Sequence, residues 1–378
     1  MILTTCAACA APLAHDAPRC VRCKVRYCDS TCQHDHWRRG HKQMCKKIHR
    51  GGNAEQYNAD KKYKEAVAVA VEACAEDTKG QTCYICTQAL HWKTKEGLVR
   101  MCACRGTAGF AHVSCLAEQA KILFAEAEEN NLGVKVLNER WRRWFTCSLC
   151  EQHYHGVVRC ALGWACWKTY VGRPEADEAR RMAMGVLANG LSSACHHEES
   201  LSVREAEFSM KRRNGTSEHN LLAVQSNLAR THAQLGRLEE ALSMERDVYS
   251  GRLKLHGKDH PQTLIAATNY AASLQALERF EETKSLLRKT MPVSRRVLGD
   301  SNEFPLRMQL CYAVALYKDP AATLDDVREA VTTLEDANRI ARRVMGGAHP
   351  LTTGVDAGLR TARAALRARE AGQSVVFT

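Results

Sequence analysis

Apolar positions along this chain follow two regimes that meet near residue 175. Beyond that point they recur at helical spacing. In one stretch Leu228, Leu235, Leu238, Ala241 and Leu242 form a stripe, Ala229 and Ala233 permit close approach, and Gly236 marks a turn, which predicts a hairpin of two antiparallel helices. The pattern repeats. Gly215, Gly257 and Gly299 fall 42 residues apart, and Asn227-Leu228-Ala229 aligns with Asn269-Tyr270-Ala271. His260-Pro261 and His349-Pro350 are 89 residues apart, as are Ala241 and Ala330, so one period of 42 is followed by one of 47. A five-residue insertion at the turn Lys318-Asp319-Pro320 explains both offsets. Units start near 185, 227, 269 and 309, the first degenerate around Cys195 to Glu199.

Before residue 175 the periodicity is broken into short pieces. A polar, glycine-containing stretch at 50–62 precedes a short helix at about 63–75, and Ala117 to Asn130 predicts a further helix. Val157, Val158, Ala161, Leu162, Trp164 and Ala165 predict an apolar helix in which Cys160 and Cys166 are small core residues; Cys74 and Cys311 read the same way.

With 378 residues, 45% of them hydrophobic, the chain can bury two or three separate cores. No apolar run is long enough for a membrane span, and Met1 to Cys6 lacks a secretion pattern. The expectation is a soluble protein of a reducing compartment, cytoplasmic or nuclear. In that setting nineteen cysteines, mostly in Cys-x2-Cys pairs, point to metal rather than disulfides. Bound thiolates also change the charge: two four-cysteine zinc sites and two three-cysteine, one-histidine sites bring the formal +12 down to about +6. Aromatic residues are 6% of the chain, and a basic stripe interleaved with aromatics is missing, so nucleic acid is not the expected partner.

The first forty-five residues hold Cys6-x2-Cys9, Cys20-x2-Cys23, Cys28-x3-Cys32, His41 and Cys45, eight soft ligands and hence two zinc ions. His34 and His36 compete with His41, but His41 lies four residues before Cys45 on one helical face. With Tyr27, Gln33 and Trp37 in place, 6–45 resembles the MYND zinc finger. The resemblance implies interleaved ligands, Cys6, Cys9, Cys28 and Cys32 on one ion and Cys20, Cys23, His41 and Cys45 on the other. It further implies that Gln33 and Trp37 border a groove for proline-containing peptides; the alternative is that Trp37 only packs the small core.

A second series runs Cys83-x2-Cys86, Cys102-x-Cys104, His112-x2-Cys115 and Cys147-x2-Cys150, again enough for two ions, four in all. The ligand order, with Cys102-Ala103-Cys104-Arg105-Gly106-Thr107 and His112-Val113-Ser114-Cys115-Leu116, resembles the RING-CH, or RING-variant, finger. By that resemblance the partner is a ubiquitin-conjugating enzyme, Ile85 is an apolar contact for it, and catalysis is by positioning, with no catalytic residue in this chain. Two departures stand out. Thirty-one residues separate Cys115 from Cys147, and Gln119 and Ala120 occupy the place of a family tryptophan, for which Trp141 and Trp144 are candidate replacements.

The Asn-Leu-Ala, Gly-Arg-x-Glu-Glu-Ala and Gly-x-x-His-Pro signatures resemble tetratricopeptide repeats of the kinesin-light-chain type over about 180–365, which implies a stacked surface that grips extended peptides. Asn227 and Asn269 are placed either to bind such a peptide or to bridge helices. The expected architecture is multidomain: a MYND-type finger (1–50), a linker and short helix (51–79), a RING-CH-type finger with a helical insert and a following helix (80–172), an all-α tetratricopeptide-like solenoid (173–370) and a tail (371–378). Two functions follow from it, a ubiquitin ligase whose finger and repeats recruit substrates, or a non-enzymatic zinc scaffold.

Overall fold

The structure, a computed structural model, describes residues 6–11, 13, 17–213, 215–347 and 349–372; most of the expected tail lies outside them. The chain forms two compact units, Met1–Gly215 and Thr216–Thr378. Among the described residues the regular elements are helices, with three isolated β-bridges and no strand.

In the first unit, α1 (Ser30–His36) and α2 (Lys42–Arg50) build the N-terminal finger. The expected short helix begins earlier, within the expected linker: α3 (Ala54–Ala73) is capped by Asn53, whose side chain accepts from Gln56 N. It buries Ala59, Tyr63, Val67 and Ala70 in the largest core of the unit. The centre of that core is α6 (Gly156–Tyr170), buried around its whole circumference by Val158, Leu162, Trp164, Ala165, Cys166 and Trp167. A helix apolar on all sides must be enclosed, and α3, α4 (Val113–Glu129) and α7 (Glu178–Ser193) enclose it, α8 (His197–Arg213) packing in turn on α7. Gly163 and Gly190 let α6 and α7 touch backbone to backbone; a Cβ on Gly190 would stand 2.7 Å from Arg159 O. Residues 173–213 therefore share a core with the second zinc framework, and the first compact unit runs on to Gly215.

The second unit stacks α9 (Glu218–Gln234) with α10 (Leu238–His256), α11 (Pro261–Ala276) with α12 (Phe280–Leu298), and α13 (Glu303–Lys318) with α14 (Leu324–Met345), followed by α15 (Pro350–Glu370). The repeat signatures have direct physical meanings here. Gly257, Gly299 and Gly346 cap the second helix of each hairpin. The first helix of the following repeat is then opened by His260, Asn302 or His349, whose side chains accept from Gln262 N (3.2 Å), Phe304 N (3.0 Å) and Leu351 N (3.2 Å). Asn-Leu-Ala marks mid-helix, so the hairpins begin at 218, 261 and 303, ahead of the expected 227, 269 and 309. The five extra residues are divided: the α13–α14 loop is five residues long instead of three, and α14 runs for 22 residues where α10 and α12 run for 19.

Candidate metal centres

Each Cys-x2-Cys pair sits on the same turn. The amide of the first cysteine donates to the carbonyl five residues on: Cys6 to Ala11 (2.8 Å), Cys20 to Val25 (2.7 Å), Cys83 to Gln88 (3.0 Å) and Cys147 to Gln152 (2.9 Å). The amide four residues on donates back to the first cysteine, from Ala10, Lys24, Thr87 and Glu151. Those four residues all take left-handed backbone, with φ of 61°, 63°, 61° and 57°. The turn aims inner amides at the first sulfur, as Ala8 N, Ile85 N and Leu149 N do on Cys6, Cys83 and Cys147 at 3.4 Å. Burial raises Cys6, but amides of Cys9, Ala8 and Cys28 outweigh it and hold the thiol at about 6. The same balance lowers Cys20 and Cys83. Cys147 is drawn down to about 4, first by hydrogen bonding from Cys102 and then by Cys150 and Leu149 amides, against burial.

Four tetrads result: Cys6, Cys9, Cys28, Cys32; Cys20, Cys23, His41, Cys45; Cys83, Cys86, His112, Cys115; and Cys102, Cys104, Cys147, Cys150. In each, the ligand atoms lie within 4.8 Å of one another. Sulfur separations such as Cys9–Cys28 (3.6 Å), Cys20–Cys45 (3.7 Å) and Cys104–Cys147 (3.8 Å) match the edge of about 3.7 Å expected for a tetrahedron with Zn–S bonds of about 2.3 Å. The donor sets therefore fit zinc, and both frameworks are interleaved.

In the first finger, Asp29 caps α1 by accepting from Cys32 N at 2.8 Å, which fixes Cys28 and Cys32 at the helix start. The helix then breaks at Gly40, whose φ of 114° is a glycine conformation, and restarts with His41 and Cys45 aimed inward. His41 Nε2 lies 3.3 Å from Cys23 Sγ. Burial, then the charge of His36, lowers the pKa of its ring, which favours the neutral form a ligand needs. His36 stacks on His41 at 4.7 Å and meets Tyr27 Oη at 3.1 Å, a supporting role, while His34 is exposed. Gln33 and Trp37 lie four residues apart; Trp37 is 42% exposed and stands outside the buried cluster of the finger.

In the second framework, His112 turns Nδ1 to Cys86 (3.4 Å) and Cys115 (3.6 Å), while Nε2 donates to Ala89 O (3.3 Å), which fixes the tautomer. Glu96 accepts from Ser114 N (2.7 Å) and Oγ (2.8 Å), bracing the turn between these two ligands. Gly109, at φ 86°, passes so close to the fourth tetrad that a Cβ would stand 2.6 Å from Cys104 Cβ and 2.9 Å from its Sγ. Arg100 lies over Phe110 (4.2 Å) and donates to Gly106 O (2.7 Å), pinning the loop that carries Cys102 and Cys104.

The structure also holds a turn that cysteine spacing does not reveal. His91 N donates to Glu96 O (3.0 Å), Lys95 N donates to His91 O (2.9 Å), and Lys95 takes φ 59°, the same frame as the four cysteine turns. His91 and Thr94 stand where the cysteines would, and His91 Nδ1 accepts from Thr94 N at 3.1 Å in place of a metal bond. The ring of His91 packs on His112 at 5.3 Å, and Trp92 projects 68% exposed. Only the matching positions of His91, Thr94 and Glu96 to the Cys83 turn would have betrayed it in the sequence.

The expected replacements for the family tryptophan fail. Trp141 and Trp144 are 4% and 0% exposed, held in an aromatic core by Phe124 (4.7 Å from Trp141) and Tyr170 (5.8 Å from Trp144). Burying their rings stabilises the insert, which contains a second helix, α5 (Gly133–Trp141), beyond the one expected. Ile85 is exposed at its turn, and so is Leu149 at the matching place in the last pair; Tyr84 Oη and Ser148 Oγ join the two turns at 2.9 Å. In the second unit, Asn227 and Asn269 line one groove across α9, α11 and α13.

Closed Cys/His tetrads followed by helical repeats define a zinc-binding protein of the protein-interaction class. More particularly, the chain carries a MYND finger, a RING-variant domain and tetratricopeptide repeats. The family model for the MYND finger matches residues 6–45, that for the RING-variant domain 83–131, and that for the tetratricopeptide repeat 220–296. The RING-variant match stops before Cys147 and Cys150, which the fold brings back to Cys102 and Cys104. Over 53 residues the chain is 47% identical to "Ubiquitin carboxyl-terminal hydrolase 17" of Arabidopsis thaliana, 14% of this chain and 7% of that protein's length. Among solved structures, the TPR-like repeats of a candidate kinesin light chain of Podosopora anserina are 20% identical, with TM-score 0.41, covering 62% of this chain and 98% of that one. BtubC from P. vanneervenii is 12% identical, with TM-score 0.38, covering 70% and 95%. No helix among the described residues is long and apolar enough to cross a membrane.

Proposed function

We propose that the chain is a ubiquitin ligase of the RING-variant type, acting in a reducing compartment, cytoplasm or nucleus, with zinc held by the sixteen residues of the four tetrads. The observation that carries this reading is the pair of exposed apolar tips, Ile85 and Leu149, on two zinc-bearing turns joined by Tyr84 and Ser148. They form a rigid seat for a ubiquitin-conjugating enzyme, and rigidity is what catalysis by positioning requires. All four places in each tetrad come from protein, so zinc holds the fold. Gln33 and Trp37 on the first finger, and the groove of the repeats, take proline-containing or extended segments of the proteins to be modified.

The test is autoubiquitination with a panel of conjugating enzymes, comparing wild type with Ile85→Ala and Leu149→Ala variants verified to retain zinc. Activity with at least one enzyme, lost in both variants, is expected. Silence with every enzyme, from protein holding four zinc ions, supports the second reading, a zinc scaffold that only assembles complexes. The absence of a tryptophan at Gln119 and Ala120, with Trp141 and Trp144 buried, favours that alternative.

A further inference from the structure

We propose that Glu245 makes the groove of the repeats selective for a basic side chain, lysine or arginine, carried on an extended segment of a partner protein. The inference rests on the reading that the repeats recruit partners. The repeat register brings it out. Glu245 is equivalent to Leu287 in the second hairpin and Leu334 in the third, both fully buried. Glu245 is itself only 3% exposed, so a leucine position of the solenoid core carries a carboxyl group. Packing does not call for it, since leucine fills the same place twice.

A buried carboxylate needs donors, and this one has few. Its oxygens accept from the Ser226 hydroxyl alone among the described residues, at 3.0 and 3.3 Å, and a hydroxyl supplies a single proton. Ser226 in turn accepts from Asn269 Nδ2 at 3.2 Å. The carboxyl group lines a groove of about 280 Å³ that runs from Asn227 and Arg230 to Asn269 and Arg307. The two arginines are engaged elsewhere: Arg307 pairs with Glu303 at 2.5 Å, and Arg230 donates to Asn227 Oδ1 at 3.1 Å. Burial pushes Glu245 up to about 7 in spite of Ser226 and Arg230, the mark of an acid that lacks a cation. A lysine ammonium or arginine guanidinium brings the missing N–H donors and the opposite charge together, and such charge-assisted bonds are the strong ones. At the Glu245 position itself an acidic side chain meets like charge, whereas Arg230 and Arg307 lie toward the ends of the groove.

The experiment presents full-length, zinc-loaded protein to an oriented library of extended peptides whose central residue is fixed as Lys, Arg, Leu, Ala or Glu. Wild type is expected to retain Lys and Arg peptides about tenfold or more over Glu peptides. Glu245→Gln and Glu245→Leu both lose that preference. Glu245→Leu also raises the thermal midpoint of the repeats by about 2 °C or more, because it restores the residue the other hairpins use. A basic preference unchanged in either variant overturns the proposal, as does wild type that retains other peptides without one. A lowered midpoint in Glu245→Leu assigns the carboxyl group to the fold and overturns it too. If wild type retains no peptide of any kind, the recruitment reading fails and this inference with it.

Discussion

The first finger and the repeats reach stability by opposite routes. In the finger, four of the seven buried residues of its core cluster, Cys6, Cys20, Cys23 and Cys45, belong to the candidate metal tetrads, leaving Val25 and Tyr27, with Ala54 supplied by the start of α3. The repeats bury a continuous apolar series from Leu264 through Leu287, Leu316 and Leu334 to Ala365. A domain too small to enclose a core takes its folding energy from zinc, whereas a stack of hairpins takes it from each neighbour.

The largest expected effect breaks the comparison at its root. Excess chelator, or Cys28→Ser, unfolds the finger, because structural zinc contributes on the order of 10 kcal/mol to such folds. In the Cys28→Ser variant, limited proteolysis should then cut within residues 6–50 and leave the repeats intact. Loss of the whole helical signal in the Cys28→Ser variant would mean that the two regions are not energetically separate.

Next in size is Gly109→Ala in the second framework. The left-handed φ alone costs about 1–3 kcal/mol, and the new Cβ collides with a zinc ligand, so zinc content should fall from four ions to three. Four ions retained would show that the loop can yield. In the repeats, Asp319→Ala removes the buried partner of Lys284, whose Nζ lies 2.7 Å from Asp319 Oδ2, and leaves it only the exposed Glu281 at 2.5 Å, at a cost of about 2 kcal/mol in a thermal melt. Burial alone would raise Asp319; Lys284 and the Ala321 amide overcome it and hold its pKa below the usual value. A depressed folded pKa means that the contribution is present above about pH 4 and disappears below it. The variant should therefore lose acid sensitivity that wild type shows.

The smallest effect sharpens the comparison within the finger. Cys9 and Cys28 are exposed, whereas every ligand of the second tetrad is buried. At limiting chelator, Cys9 and Cys28 should be alkylated before Cys20 or Cys45, followed by mass spectrometry of the modified peptides; the reverse order would show that burial does not govern release.

Cysteine and histidine spacing made the frameworks legible, because zinc restricts ligand types and reach so tightly. The interleaving of the first finger was available only through resemblance, since equal spacings allow other pairings. Only the second half of α3 reads as helix and the first half as linker, because its burial depends on α6, more than eighty residues away, which local pattern cannot express. Trp141 and Trp144 were misplaced for the same reason: proximity to Cys147 in sequence says nothing about which way an indole faces. The repeat period was plain, but its phase was not, because signatures mark mid-helix and cap positions rather than starts. Glu245 stood in a column of leucines visible in the sequence, although only the fold shows that the position is enclosed.

The turn at His91 to Glu96 separates the shape of a metal-bearing turn from its ligands. Its backbone keeps the form of a metal-bearing turn with neither cysteine present, held by its own amides and by the His91 imidazole. The fold of a zinc half-site can thus form without two cysteines to hold a metal. Where the backbone closes the turn by itself, the tip is free to display a side chain such as Trp92.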